Sequence, residues 1–516
     1  MSIRSWCHAL VKMLPQVPAL RELFLAIRLK PAVKPRSGSR GGLFLALFLP
    51  VFVGGYAGTA SCRNVRGGIE TTADARRPAP ECCCPAQASA APLTATSAAG
   101  YPAISADAFV DSVGVNVHLH YTDTAYVHFD LVEKALKDLG VRHIRDKLMD
   151  TSWSPYYDRL NTLGRAGIKA VLITSPEQSD AVLVGYPGRV LDSFEAYEGP
   201  NEYDQSKDPN WAASLTAFLA RLCRAVRSNP ATSHFPILGP SLTYPASFPK
   251  LAATSPYFDY ANLHNYFGGR NPGTPGWDLN DLNGHGSYAW HLDLADRAWP
   301  GTTVISTETG YFNDPAKADA VPENVAGTYM PRLLFEQWMH GIKRTYLYEL
   351  VDIGPVSEFT DATYGLLRSD FSPKPSYNAV KSVLRLLSDP GPSFRAGNLN
   401  FELAGELTDV HHLLLEKRNG TFYLAIWIEE SGYDVAAKAA VPVPEHTIVV
   451  TTRDRVRMNL HILDQNGQMR ASVLRPAQRQ RMAVSDRVSI LEIIPERSAS
   501  RFRAPMSLTQ PAVGEQ

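Results

Sequence analysis

The stretch Glu195-Ala-Tyr-Glu-Gly-Pro-Asn-Glu-Tyr203 changes character in its middle. A short run of strand-compatible residues meets Gly199-Pro200, a pair that punctuates regular structure, so Asn201 and Glu202 are delivered where a strand gives way to a loop. A second stretch, Val304-Ile-Ser-Thr-Glu-Thr-Gly-Tyr311, has the same form: a short β-branched run ending in one carboxylate, Glu308. Two glutamates at two strand ends point to paired-carboxylate chemistry.

Glu202 and Glu308 lie 106 positions apart, so they meet only if the fold brings the chain back to the same place. A barrel of repeated strand-helix units does this, because the carboxyl end of every strand opens on one face. Residues 113–120, 141–145, 169–174, 193–197, 237–241, 260–266, 303–308 and 344–349 read as eight such strands. Helical periodicity fills 129–139, 156–167, 211–228, 288–298, 324–340 and 376–387. A Gly/Pro/Asn-rich loop, residues 268–286, follows the sixth strand. The expected fold is α/β: a (β/α)8 TIM barrel over residues 106–390. After Pro390 the pattern turns to short alternating runs with hairpin signals at Asn419-Gly420 and Asn466-Gly467, which predicts a small β-sandwich domain over 391–497.

The chain has 516 residues, is 45% hydrophobic, and carries 51 basic and 51 acidic side chains. Nothing in that balance calls for nucleic acid as a partner. The balance is local, however: residues 1–40 hold Arg4, Lys12, Arg21, Arg28, Lys30, Lys34, Arg36 and Arg40 against Glu22 alone, ahead of an apolar run at 43–53. That run is shorter than the roughly 20 residues a membrane span needs. With small residues after it, segment 1–62 reads as a signal peptide or an anchor, and Cys62 after Ala60-Ser61 is similar to a lipoprotein box except for Thr59. The expectation is an exported protein with a possible membrane tether. Residues 63–105, rich in Ala, Pro, Ser and Thr, read as a disordered linker, and 498–516 as a disordered tail. No CxxC pair exists, so neither a structural metal site nor a catalytic cysteine is expected.

Hydrolysis of a glycosidic bond needs one carboxyl group protonated and another ionised, and in a retaining enzyme the two stand about 5 Å apart. Asn201-Glu202 after strand four, His264-Asn-Tyr266 on strand six and Glu308 after strand seven together resemble the clan A retaining glycoside hydrolases, families 5 and 39 in particular. Tyr364-Gly-Leu-Leu-Arg-Ser-Asp-Phe-Ser-Pro-Lys-Pro375, before the last helix, is similar to theirs as well. The resemblance covers roughly residues 110–390 and implies that Glu202 is the general acid/base and Glu308 the nucleophile. It implies that Asn201 donates to the sugar 2-hydroxyl, that Tyr266 hydrogen-bonds the nucleophile, that Arg145 keeps it ionised, and that His264 lines the sugar site. The substrate would be a carbohydrate, and no cofactor or metal is implied. Glu198 competes with Glu202 for the acid role, since it stands four residues earlier near the same strand end.

Three further residues enter as candidate sugar contacts. His120, at the end of strand one, would reach a sugar hydroxyl. Trp277, in the loop after strand six, offers a stacking face or packs the loop. Glu349 stands where many clan members have a tryptophan platform, and would bind a hydroxyl or a cation, or brace the loop. A different class also begins from strand one: His118-Leu-His120 is similar to the His-x-His of metal-dependent amidohydrolases, with His264 and Asp352 as further ligands. That pattern also needs a histidine after strand five, where this chain has Leu238-Gly-Pro-Ser-Leu242. A non-catalytic sugar-binding barrel is the third alternative, and it has no need of two glutamates.

Overall fold

A computed structural model describes residues 100–277, 284–353 and 362–495. Eight parallel strands come in the expected order: β1 (Val113–Asn116), β2 (His143–Lys147), β3 (Lys169–Ile173), β4 (Phe194–Glu198), β5 (Ile237–Leu238), β6 (Ala261–His264), β7 (Val304–Thr309) and β8 (Thr345–Leu347). Neighbouring strands pair around one sheet in the order β5-β4-β3-β2-β1-β8-β7-β6. A parallel bridge from Leu238 to Tyr260 links its two ends and closes the barrel.

Helices pack around the outside of the barrel. They are α1 (Phe129–Leu139), α2 (Pro155–Arg165), α3 (Asp180–Arg189), α4 (Trp211–Ser228), α5 (Tyr288–Ala298), α6 (Glu323–Met339) and α7 (Pro375–Leu387). Helix α3 has no counterpart in the sequence reading. Its Gly185, Pro187 and Gly188 look like loop residues, but Ser179 caps it by accepting from the Val182 amide, and Leu183, Tyr186 and Pro187 are buried, so packing overrides propensity. After β5 a run of 3-10 turns, Pro245–Tyr257, takes the place of a helix.

The barrel interior is filled rather than open. Val171, Ala196, Leu238, Ile305 and Tyr346 form one apolar layer inside it. The Tyr346 ring lies where a Cβ on Gly114 would come within 2.5 Å of it, so β1 needs a glycine there. At the amino ends of the strands His143 sits between Glu195 (2.8 Å) and Asp111 (3.1 Å), and Arg344 reaches Glu195 at 2.7 Å. Burial pushes the His143 imidazole down, but its two carboxylate partners outweigh that and raise it above the ordinary value. A raised folded-state value stabilises the fold fully below the unfolded value and is lost as pH climbs through the folded one. Stability to urea is therefore expected to fall as pH rises above about 6.5, and His143→Gln should flatten that part of the profile. An unchanged profile in the variant would show that the cluster does not act this way.

The C-terminal region is all β. Strand His446–Leu463 is the spine of an eight-stranded sheet: its first half pairs with Phe401–Gly405 and Ala477–Val484, its second with Met469–Val473 and Ser489–Pro495. Ile448, Val450, Val456, Met458, Met482, Leu491 and Ile493 meet in one core between them. This matches the expected β-domain. Residues 101–105, assigned to the linker from sequence, are paired instead. Tyr101–Pro102 adds antiparallel to Asn398–Leu399, and Ile104–Ser105 adds parallel to Leu415–Glu416. Composition hid this because two-residue strands carry no period of their own. The export segment, most of the linker and the tail lie outside the described residues.

The β-domain is held to the barrel by buried charge. Arg332 of α6 makes two hydrogen bonds to Glu429, Nη2 to Oε1 at 2.6 Å and Nε to Oε2 at 2.8 Å, and both side chains are at most 1% exposed. Glu429 also accepts from Trp427 Nε1 and, on the loop after β6, from Asn271 Nδ2 and the Gly273 amide. Phe335 of α6 stacks on Trp427 beside them.

Candidate active site

The site is built on a layer of polar side chains that the strands point into the carboxyl mouth. Arg145, in the middle of β2, is 2% exposed and forks onto Glu198 at the end of β4, Nε to Oε2 and Nη2 to Oε1, each at 2.7 Å. Its remaining donors reach Asn116 Oδ1 (2.9 Å), Asn201 Oδ1 (2.6 Å) and Glu308 Oε1 (2.6 Å). Burial alone would lower the guanidinium, but Glu198 and then Glu308 hold it firmly protonated. Glu198 accepts further from Asn262 Nδ2 at 3.0 Å and from the Thr307 hydroxyl at 3.2 Å. It is fully buried, which withdraws it from the acid role and makes it the anchor of Arg145.

Glu308 leaves β7 at an irregularity in the ladder, between the pairs Leu263–Ser306 and His264–Glu308. Such a bulge re-aims a side chain at the rim of a barrel. Its Oε1 takes the Arg145 bond and its Oε2 accepts from Tyr266 Oη at 3.0 Å. Burial first and the Glu308 charge second push the Tyr266 phenol well above its ordinary value, so it stays a donor. The sequence-derived partners of Glu308 are thus both in hydrogen-bond contact with it.

Glu202 follows the strand in a left-handed backbone conformation, φ 42°, which a non-glycine residue adopts at a cost of order 1–3 kcal/mol. Its amide donates to Ser241 Oγ at 3.0 Å, its Oε1 lies 2.8 Å from His264 Nδ1, and its Oε2 accepts from Gln205 Nε2 at 2.7 Å. Burial raises the Glu202 carboxyl, but His264, Thr243 and Arg145 outweigh it and bring it below the usual range. His264 Nδ1 also stands 3.5 Å from Glu308 Oε2, so the imidazole lies between the two glutamates. Acceptor atoms of Glu202 and Glu308 are within 4.8 Å of each other.

Asn201 has one orientation open to it. An arginine can only donate, so the atom bound to Arg145 must be the amide oxygen, and the NH2 group is left as a donor. Asn201 lines a cleft of about 400 Å³ with Glu308, Arg145, His120, Tyr121 and Tyr348.

The other candidates divide. His120 lines the cleft and is oriented by Asp146, whose Oδ1 is 3.1 Å from its Nδ1, while Asp146 Oδ2 accepts from the Leu119 amide. Glu349 does not reach the cleft: it is fully buried, accepts from Tyr126 Oη at 3.0 Å and pairs with His118 Nε2 at 3.1 Å. Burial raises its carboxyl, with His118 and Tyr126 offsetting part of that. Of the roles considered for Glu349, bracing the loop is the one its surroundings allow. Trp277 is not among the residues lining the cleft. It is 39% exposed, with the Arg270 guanidinium over its ring at 4.6 Å and Gly286 against its edge. It packs the loop.

The amidohydrolase ligand set does not assemble. His118 is taken by Glu349, His120 by Asp146, and Asp352 by Lys374 Nζ at 2.9 Å. Among the described residues the group placed closely enough to share an ion is Glu202, His264 and Glu308. The Arg145 charge 2.6 Å from Glu308 opposes a cation there. Asn116, Asn262, Thr307 and Asp146 were not picked out from sequence. For Asn116, Asn262 and Thr307 the signal is a polar residue beside buried apolar neighbours of its own strand, and a buried polar group requires a partner; Asp146, in the mostly polar β2, carries no such signal.

No family model matches this chain, and no curated protein matches it. Solved structures do. A family 39 glycoside hydrolase from Xanthomonas axonopodis pv. citri aligns with a TM-score of 0.52 at 14% identity, covering 77% of this chain and 96% of that one. A family 39 glycoside hydrolase from the gut symbiont Bacteroides cellulosilyticus WH2 aligns at 0.50 and 14%, covering 77% and 83%. A glucosidase from Croceicoccus marinus aligns at 0.50 and 10%, covering 77% and 98%. Over 77% of its length the chain therefore shares the fold of these enzymes.

Proposed function

We propose that the protein is an exported retaining glycoside hydrolase that cleaves O-glycosidic bonds of an oligo- or polysaccharide by double displacement. The observation that carries this reading is the approach of Glu202 and Glu308 to within 4.8 Å in unlike surroundings. Oxygens that close suit a retaining pair, whose carboxyl groups stand about 5 Å apart, better than the wider spacing an inverting pair needs for its water. Glu308, facing a buried guanidinium and a phenol, attacks the anomeric carbon. Glu202 gives its proton to the leaving oxygen and then removes one from the incoming water.

Its lowered carboxyl does not oppose that role. The Glu202–His264 hydrogen bond at 2.8 Å holds one proton between two bases, and His264 Nε2 faces Thr307 Oγ1 at 3.1 Å. Its contacts with His264, Thr243 and Arg145 favour the ionised Glu202. Bound substrate displaces water from the carboxylate, and loss of solvation raises a carboxyl group. The proton then has one hydrogen bond to cross. Asn201 and His120 supply polar contacts to sugar hydroxyls, and segment 1–62 supplies export.

Glu202→Ala tests the assignment. Hydrolysis of substrates with poor leaving groups should fall by roughly 10²–10⁴-fold, whereas aryl glycosides with acidic leaving groups should lose far less. Azide should restore turnover and give a glycosyl azide of retained configuration. Equal losses on both substrate types, or activity removed by EDTA, would reject it, the latter in favour of an ion held by Glu202, His264 and Glu308.

A further inference from the structure

The hydrogen bonds beneath the two glutamates have fixed directions, and those directions place a proton. Asn262 of β6 and Thr307 of β7 are both fully buried. Asn262 Nδ2 lies 3.0 Å from Glu198 Oε1 and 3.3 Å from the Gly239 carbonyl, and both oxygens accept, since Glu198 takes two hydrogen bonds from Arg145. The amide oxygen of Asn262 is thereby turned to Thr307, 2.8 Å from its Oγ1. Thr307 has one hydroxyl proton, and Asn262 Oδ1 and Glu198 Oε1, the latter at 3.2 Å, can only accept it. Its contact with His264 Nε2 at 3.1 Å is then a hydrogen bond only if the imidazole donates. Nε2 carries hydrogen in either charge state of the ring, and Nδ1, 2.8 Å from Glu202 Oε1, is the nitrogen that gains and loses one.

We infer that Thr307 is a positioning residue for catalysis: by fixing the Nε2–H tautomer of His264 it makes the imidazole a store for the proton that Glu202 delivers. The destination of that proton rests on the glycosidase reading; the tautomer rests on the hydrogen bonds alone.

With Nε2 committed, Glu202 and His264 hold one proton between Oε1 and Nδ1. When Glu202 gives it to the leaving oxygen, the new O–H bond forms as the glycosidic C–O bond breaks, and a carboxylate is left facing the Nδ1 lone pair. Two acceptors that close repel each other, so the emptied pair is a good base toward the water of the second step. That water's oxygen goes to the anomeric carbon, Glu308 leaves as carboxylate, and the proton restores the pair. The opposite tautomer defeats both steps, because a neutral ring with hydrogen on Nδ1 donates to the Glu202 carboxylate and keeps it ionised. Arg145 of β2, Glu198 of β4 and Glu308 of β7, itself bonded by Tyr266, also face the pair, and any Thr307 variant retains them.

Nitrogen NMR on the full chain labelled at histidine reads the tautomer without substrate, His264 being assigned by its absence from His264→Gln. With the ring neutral, the wild type should carry hydrogen on Nε2 and none on Nδ1. Thr307→Val removes the acceptor at nearly constant volume and should reverse that pattern. In kcat/KM against pH, loss of the shared proton sets the alkaline limb for substrates with poor leaving groups. Thr307→Val should move that limb down by about one to two pH units, since a buried N–H without an acceptor makes the charged ring costly. Thr307→Ser keeps the hydroxyl and should leave the limb in its wild-type place, whereas mere loosening of the barrel would lower the rate without moving it. Hydrogen on Nδ1 of the neutral wild-type ring, or one limb shared by Thr307→Val and wild type, overturns the inference. A wild-type protein that shows the Nε2–H tautomer but hydrolyses no glycoside would sink the glycosidase reading and leave the tautomer standing.

Discussion

Glu308→Gln is expected to reduce glycoside hydrolysis by roughly 10⁴-fold or more, about 5–6 kcal/mol of transition-state stabilisation, while the protein remains folded. The amide keeps the volume and an oxygen for Tyr266 or Arg145 but cannot form the glycosyl-enzyme. Stability should change little, because removing the Glu308 charge leaves Arg145 with its bidentate bonds to Glu198 and its contacts to Asn116 and Asn201. The informative partner is Glu308→Ala, whose cavity admits azide from the nucleophile's side. Azide should then yield a glycosyl azide of inverted configuration, opposite to the product from Glu202→Ala. Opposite stereochemistry in the two variants fixes which glutamate attacks. Substantial residual turnover in Glu308→Gln, or retained configuration in the azide product of Glu308→Ala, would refute the assignment.

That test addresses what sequence could and could not reach. The eight strands were legible because most are short β-branched or apolar runs bounded by turn residues, and β2 and β4, which are not, fall at the spacing the others set. The glutamates were legible because Gly199-Pro200 and Gly310 mark the strand ends they occupy. The division of labour between Glu198 and Glu202 was not, since four residues near a strand end differ by burial, and burial depends on Arg145 and Asn262 from other strands. For Glu349 and Trp277 the sequence carried the residue type, whereas their roles depend on neighbours more than 200 residues away, such as Tyr126, or on loop geometry around Gly286. Helix α3 was missed because its stability comes from the apolar face it buries rather than from its own propensities.

The Arg332–Glu429 pair makes the strongest prediction about stability. Breaking a buried pair from one side leaves a charge in a site that cannot solvate it, at a cost of about 3–5 kcal/mol. Arg332→Met should lower stability to urea by that amount, read from the shift of the unfolding midpoint at unchanged slope. Asn271, Gly273 and Trp427 would still donate to Glu429, which places the loss toward the lower end of the range. The double variant Arg332→Met/Glu429→Leu removes both charges and should recover much of the loss, because two apolar side chains pack where two ions had to be desolvated. The recovery has a functional cost. Glu429 holds Asn271 and Gly273 on the loop that follows His264, the last residue of β6, and carries Tyr266, and a Cβ on Gly273 would lie 2.3 Å from the Glu429 side chain. The double variant should therefore be near wild type in stability yet raise KM, whereas Arg332→Met should be unstable with KM nearly unchanged. A loss below about 1 kcal/mol for Arg332→Met would mean that the pair behaves like a solvated surface bridge. Parallel changes in KM for both variants would mean that the β-domain does not set the loop through Glu429.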